Sequence, residues 1–325
     1  MNSDIERALF NLLSGHFDAE EILRGERIQS LWSGYGEIVR YRIDGMAVVV
    51  KVVDPVGQGH HPRGWNTSLS HQRKLDSYHN EQTFYANYTH LTDSFCRVPK
   101  FIASGKQDDM RWLVMEDLDE QGFTYRCDDA PPTLIDKGIR WLAYFHALFL
   151  QHKTPDLWQV GTYWHLATRP DEYRNMTDGV LKQQARAIDH KLNQARHRTL
   201  VHGDAKLANF CFSADLEDLA AVDFQYVGRG VGIKDLVYFL GSCMNENELF
   251  TQAQHNVDQY FRYLEQALTH YNLECEFASL EQEWRNLVPF AWADFERFLM
   301  GWASEHHKLN RYSQQQTQVA LQQIS

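Results

Sequence analysis

Apolar and polar positions alternate early in the chain and fall at helical spacing later. "EIVRYRI" (37–43) and "MAVVVKVV" (46–53) read as strands. Asp44 and Gly45 stand between them, a pair that tolerates φ > 0 at both positions and signals a two-residue hairpin. "RVPKFIAS" (97–104) and "RWLVMED" (111–117) supply two further strands. Between the two pairs, Leu75, Tyr78, Phe84, Tyr85 and Tyr88 approximate one face of a helix over 71–90. The character changes after residue 130. "PPTLIDKGIRWLAYFHALFLQH" (131–152) opens on prolines, as helices do, and carries a broad apolar face. Helical spacing returns over 178–196, 233–243, 247–271 and 280–304. Short strands near 199–202, 209–213 and 219–223 interrupt it. The polar "SQQQTQ" (313–318) predicts a frayed end. The layout is α+β, a small β-rich lobe (1–118) followed by a larger helical lobe (119–325), joined near "MEDLDEQG" (115–122).

With 325 residues, 43% hydrophobic and 23% charged, the chain can bury a large core and has ordinary soluble composition. A net charge of −11 argues against a general affinity for nucleic acid, which needs clustered Lys and Arg. Cys96, Cys127, Cys211, Cys243 and Cys275 are odd in number and form no CxxC pair, which fits reduced thiols. "MNSDIERALF" carries acids where a signal peptide carries positive charge, and "WLAYFHALFL" is too short to span a bilayer. These features predict a cytoplasmic protein with no membrane partner. Oligomeric state is not legible.

One short region concentrates chemistry. "LVHGDAKLANFCFS" (200–213) holds His202, Gly203, Asp204, Lys206 and Asn209, and "LAAVDFQYVG" (219–228) sets Asp223 at the end of an apolar run. A loop–strand–turn–strand course of this length can bring Asp204, Asn209 and Asp223 to one spot. Two carboxylates and an amide oxygen are hard ligands, suited to Mg²⁺ rather than zinc. Magnesium with so few protein ligands usually shares a phosphate with them. Alone, either aspartate would read as part of a solvated, capped turn.

"HGDAKLANF" followed by "VDFQ" resembles the catalytic loop and metal motif of the aminoglycoside phosphotransferase and choline kinase-like superfamily, small-molecule relatives of the protein kinases. "DFQ" and the upstream "LAYFHA" lean toward its ecdysteroid kinase-like branch. The resemblance implies a protein-kinase-like two-lobe fold, with a small antiparallel sheet in the first lobe and helices in the second. It implies an ATP- and Mg²⁺-dependent transfer of a phosphoryl group to the hydroxyl of a small molecule. Asp204 would be the base and Lys206 a cation near the phosphoryl, with Asn209 and Asp223 on the metal. In the first lobe Lys51, in a run of valines, would pair with Glu81 and meet the phosphates. Gly34 and Gly36 would form the glycine loop, with Val39 where the third glycine of protein kinases would stand. Backbone groups near Glu116 and Leu118 would bind adenine.

His202 and Asp235 read as structural, Asp235 anchoring the catalytic loop. The segment from Asp223 to Asp235 is short, glycine-rich and lacks APE, which argues against a peptide acceptor. The acceptor pocket is expected against 233–304, with Trp284, Trp292 and Trp302 as candidates to line it. Asp294 and Glu296 beside them favour a cationic or amphipathic alcohol. His60-His61 and His306-His307 read as solvated pairs whose rings point apart. A protein kinase-like enzyme, a metal-dependent phosphohydrolase and a non-catalytic nucleotide-binding module are the alternatives.

Overall fold

The computed structural model describes residues 3–31, 34–55 and 68–324. The chain divides into two compact units, Met1–Leu91 with Val98–Thr124, and Thr92–Arg97 with Tyr125–Ser325. The first unit runs on to Thr124, and the second includes the short segment Thr92–Arg97. His60 and His61 lie outside the described residues.

The first unit comprises helix α1 (Ser3–Phe17), strands β1 (Ile22–Ser30), β2 (Gly36–Ile43) and β3 (Met46–Val53), helix α2 (Ser68–Asn87), and strands β4 (Phe101–Gln107) and β5 (Met110–Glu116). The five strands form an antiparallel sheet in the order β1-β2-β3-β5-β4, which puts β3 at its centre. Asp44 and Gly45 have φ of 47° and 81°, the double left-handed turn that the hairpin requires. Strand alternation then sorts the side chains of β3. Val48, Val50 and Val52 enter a core with Val39, Tyr41, Val114, and Leu9 and Leu13 of α1. Val53, on the opposite parity, packs with Tyr78 of α2. Lys51 shares that parity, which turns it toward α2.

The second unit holds helices α3 (Pro132–Leu148), α4 (Pro170–Asn175) and α5 (Val180–Asn193), strands β6 (Thr199–Val201), β7 (Phe210–Phe212), β8 (Leu219–Ala221) and β9 (Gly228–Gly230), and helices α6 (Ile233–Cys243), α7 (Glu246–His270), α8 (Phe277–Trp302) and α9 (Arg311–Ile324). Pro131 and Pro132 start α3, and a capping box between Asn245 and Glu248 starts α7. β6 pairs with β9 and β7 with β8, both antiparallel. "SQQQTQ" lies inside α9, where Ser313, Thr317 and Ala320 are buried, so the expected frayed end is an ordered helix packed on the rest of the unit. No disulfide joins the five cysteines, and no helix among the described residues is long and apolar enough to cross a membrane.

Candidate active site

The loop from β6 to β7 is held open at one end and pinned at the other. Gly203 has φ of +81°, and a Cβ there would stand 2.1 Å from the Tyr226 carbonyl oxygen, so no side chain fits. The backbone N–H groups of His202 and Gly203 donate to the two oxygens of the buried Asp235 carboxylate on α6. His146 of α3 approaches the same carboxylate at 3.1 Å and Tyr260 of α7 through its other ring nitrogen at 2.8 Å. Asp235 therefore anchors the loop, as its place in the sequence suggests. His202 is fully buried. Its Nδ1 accepts from the Asp204 N–H at 3.2 Å, which leaves Nε2 to donate to the Val222 carbonyl at 3.0 Å. Both nitrogens are engaged in holding the loop, so the ring is a structural part of it.

Asp204 stands at the focus. Lys206 Nζ lies 3.0 Å from Oδ2, Asn209 Nδ2 donates to the same oxygen at 3.2 Å, and the Tyr238 hydroxyl donates to Oδ1 at 3.0 Å. Burial pushes the Asp204 carboxyl above the usual carboxylate range; Lys206 pulls it back and the nearby Asp223 carboxylate pushes it up again. For Lys206, burial works against the charge, but Asp204 and Asp223 outweigh it and the ammonium is held more firmly than usual. Asp223 falls two residues beyond the end of β8 rather than on it, with φ of 70°. The Val222 N–H bonds the Asn209 carbonyl at 2.9 Å, which keeps Asp223 beside the loop. Gln225 Nε2 donates to Asp223 Oδ1 at 2.5 Å. Asp204, Lys206, Asn209 and Asp223 are thus gathered in one place.

The remaining predicted residues lie in the first unit. Lys51 Nζ and Glu81 Oε2 are 2.6 Å apart and both side chains are buried, a geometry that offsets the cost of an ammonium among valines. Gly34 and Gly36 border the β1–β2 turn, with φ of 71° and 154°. At Gly36 a Cβ would meet the Val52 carbonyl oxygen at 1.9 Å. The Glu116 carboxylate accepts from the Lys100 N–H at 3.0 Å, and the Leu118 carbonyl accepts from the N–H groups of Gln121 and Phe123.

Several expectations about the acceptor side are corrected. Trp284 is sealed in the core and donates to the His197 carbonyl at 3.0 Å, and Trp292 is buried against Tyr312. Of the three tryptophans only Trp302 is partly exposed, stacked on Phe298. Asp294 is fully buried between Lys234 and Arg297, at 3.1 and 2.8 Å, so its charge is neutralised internally. Glu296 is buried as well, and burial pushes its carboxyl up. Asp294 therefore offers no unpaired charge to a ligand. The rings of His306 and His307 stack at 4.4 Å instead of pointing apart.

Two neighbours of Asp204 carry no signal in the sequence. Tyr238 follows the anchor Asp235 by one helical turn, which brings its hydroxyl to the loop. Lys308, in the connection after α8, places its ammonium 4.6 Å from the centroid of the Tyr238 ring and 5.8 Å from that of Phe295.

Residues 159–273 match the ecdysteroid kinase-like family. The fold is shared with a protein of Ralstonia eutropha JMP134 assigned as an aminoglycoside phosphotransferase, at 12% identity over 98% of this chain and 95% of that one, with a TM-score of 0.52. The aminoglycoside phosphotransferase APH(4)-Ia aligns at 12% identity over 93% of this chain and 100% of its own, TM-score 0.51. Aminoglycoside 2′-phosphotransferase-IIIa, solved as its GDP complex, aligns at 14% identity over 98% and 99%, TM-score 0.50. This is the kinase-like fold of the aminoglycoside phosphotransferases. The ecdysteroid kinase-like match covers the stretch that holds Asp204, Lys206, Asn209, Asp223 and Asp235. No curated protein sequence matches the chain.

Proposed function

We propose that the chain is an ATP-dependent phosphotransferase acting on the hydroxyl of a small molecule. The observation that carries this reading is the Asp204 cluster: a buried carboxylate held by Lys206, Asn209 and Tyr238 on a loop anchored by Asp235. Asp204 would orient the acceptor hydroxyl and take its proton while the hydroxyl oxygen bonds to the γ-phosphorus. The bond from that phosphorus to the bridging oxygen breaks, and its electron pair leaves on ADP. Lys206 would hold charge that builds on the transferred phosphoryl oxygens. Lys51, fixed by Glu81, would bind the nucleotide phosphates, and the turn at Gly34 and Gly36 would present backbone close to them. Because the Leu118 carbonyl already accepts two turn hydrogen bonds, an adenine ring would meet the Leu118 N–H instead.

Magnesium fits the residues present. Asn209 Nδ2 donates to Asp204, so its Oδ1 is directed elsewhere and accepts no hydrogen bond among the described residues. Together with the Asp223 carboxylate it makes a small set of hard oxygen donors, too few for a dedicated cage and suited to a metal shared with phosphates. Bound there, the metal would neutralise phosphate charge. No group of three or more His, Cys, Asp or Glu among the described residues could hold a metal, which disfavours a binuclear phosphohydrolase centre. A small-molecule acceptor is supported by the shortness of the segment between Asp223 and Asp235, part of which pairs as β9 with β6.

The test is kinetic. In Asp204→Asn, ATP turnover should fall by roughly 10²–10⁴ while calorimetry shows Mg-nucleotide affinity nearly unchanged. Undiminished turnover would reject Asp204 as the base.

A further inference from the structure

Lys308 poses a problem of chemistry. Its side chain lies largely out of water against the rings of Tyr238 and Phe295, and among the described residues its ammonium has no hydrogen-bond or ion-pair partner. An ammonium in that setting costs free energy unless something anionic meets it. Burial lowers its pKa to about 8; Asp204 and the Cys243 thiol raise it and Lys206 lowers it, so the charges that reach it are those of the candidate site itself. The ring face of Tyr238 returns only a part of the lost hydration.

The position relative to Asp204 is informative. The two oxygens of that carboxylate face different partners. Oδ2 takes Lys206 and Asn209, the residues read as serving the phosphoryl and the metal. Oδ1 takes Tyr238, and Lys308 lies over the ring of that same tyrosine. Lys308 is therefore linked to Asp204 through Tyr238, close enough for the charges of Asp204 and Lys206 to act on it. Tyr238 and Phe295 belong to a cluster with Tyr163, Phe298 and Trp302, and Asp294 of α8 is paired with Lys234 and Arg297. The cationic acceptor that the sequence favours would meet an ammonium here.

We infer that Lys308 is an acceptor-binding residue that selects a small alcohol carrying an anionic group, such as a carboxylate or phosphate, close to the hydroxyl that is phosphorylated. The inference rests on the kinase reading. It reverses the charge preference expected of a site that binds aminoglycosides and assigns a residue that no motif marks.

The experiment uses the intact protein and two size-matched series of differing charge, gluconate, glucose and glucosamine, and glycerate, glycerol and serinol. ADP formation is followed with Mg-ATP in wild type, Lys308→Met and Lys308→Arg, and Mg-ADP affinity is measured by calorimetry. Wild type should favour the anionic member of a series by about tenfold or more in kcat/KM. Lys308→Met should lose that preference through acceptor KM, with Mg-ADP affinity unmoved, and Lys308→Arg should retain most of it. A preference for the ammonium compounds, or equal rates across the three charge classes, none included, would overturn the inference. So would a fall in kcat for all classes with acceptor KM unmoved, which would place Lys308 on the phosphoryl instead. Failure of the kinase reading looks different: ADP formation would be absent, or independent of Asp204, in every protein, and Lys308 would lose its assignment with it.

Discussion

At Gly203 a single missing atom decides whether the loop can form. Its φ of +81° and the 2.1 Å approach of the Tyr226 carbonyl to a Cβ leave backbone displacement as the only response to Gly203→Ala. That substitution should cost about 1–3 kcal/mol of stability, read as a lowered unfolding midpoint in urea, and should reduce turnover by displacing Asp204. An unchanged midpoint with full turnover would show that the turn relaxes freely. Lys308 makes the opposite prediction. Its folded pKa of about 8 lies below the unfolded value near 10.5, so the charged form is penalised by folding. The penalty is complete below about pH 8 and disappears as pH rises toward 10.5. Lys308→Met should therefore be more stable than wild type at pH 7, by about 1–3 kcal/mol, with the difference shrinking at pH 10. A Lys308→Met protein less stable than wild type at pH 7 would mean that the ammonium already has a partner in the folded protein.

Helices α6 and α8 are joined through charge. Asp294 bonds Lys234, Arg297 and the Trp164 indole N–H, all buried. Burial alone would raise its carboxyl, yet Lys234 and Arg297 hold it at about 2. The folded value lies below the unfolded one, so this cluster contributes stability above about pH 4 and loses it as pH falls toward 2. Asp294→Asn should destabilise by about 3–5 kcal/mol at pH 7, because two buried cations lose their counter-charge. Thermal unfolding at pH 7 and pH 3 checks it: the gap between variant and wild type should narrow at the lower pH. The same cluster shows where a reading by periodicity ends. Strands β2 and β3 were legible because alternation and an Asp-Gly turn are local signals. Helices α6, α7 and α8 were legible to within a few residues from their apolar spacing. β1 was not, because "ILRGERIQS" is almost wholly exposed and lacks alternation. α9 was hidden by its glutamines, since only Ser313, Thr317 and Ala320 of it are buried. The aromatic stripe of α8 read equally as core or pocket; Trp284 and Trp292 belong to the core because one indole N–H meets a backbone carbonyl and both rings are enclosed.

For the molecule as a whole, legibility follows separation along the chain. Asp204, Lys206, Asn209 and Asp223 stand within a short span, so their proximity follows from a loop and a hairpin. The pairing of Lys51 with Glu81 follows from strand parity and one helix face. Tyr238 reaches Asp204 from a different helix, and Lys308 comes from beyond α8, so no spacing rule points to either. Function should separate along the same line. Lys51→Met should weaken Mg-nucleotide binding by about tenfold or more and leave acceptor KM nearly alone, whereas Lys308→Met should do the reverse. Calorimetry with Mg-ADP and acceptor-dependent ADP formation measure the two effects; parallel losses in both variants would contradict the division of labour. The most direct test of the central claim is the product itself. ³¹P NMR of wild type with Mg-ATP and the size-matched alcohols should show a phosphomonoester accumulating in step with ADP, and neither resonance growing in Asp204→Asn. ATP left intact with every alcohol, or inorganic phosphate as the sole product at the same rate in both proteins, would contradict the account.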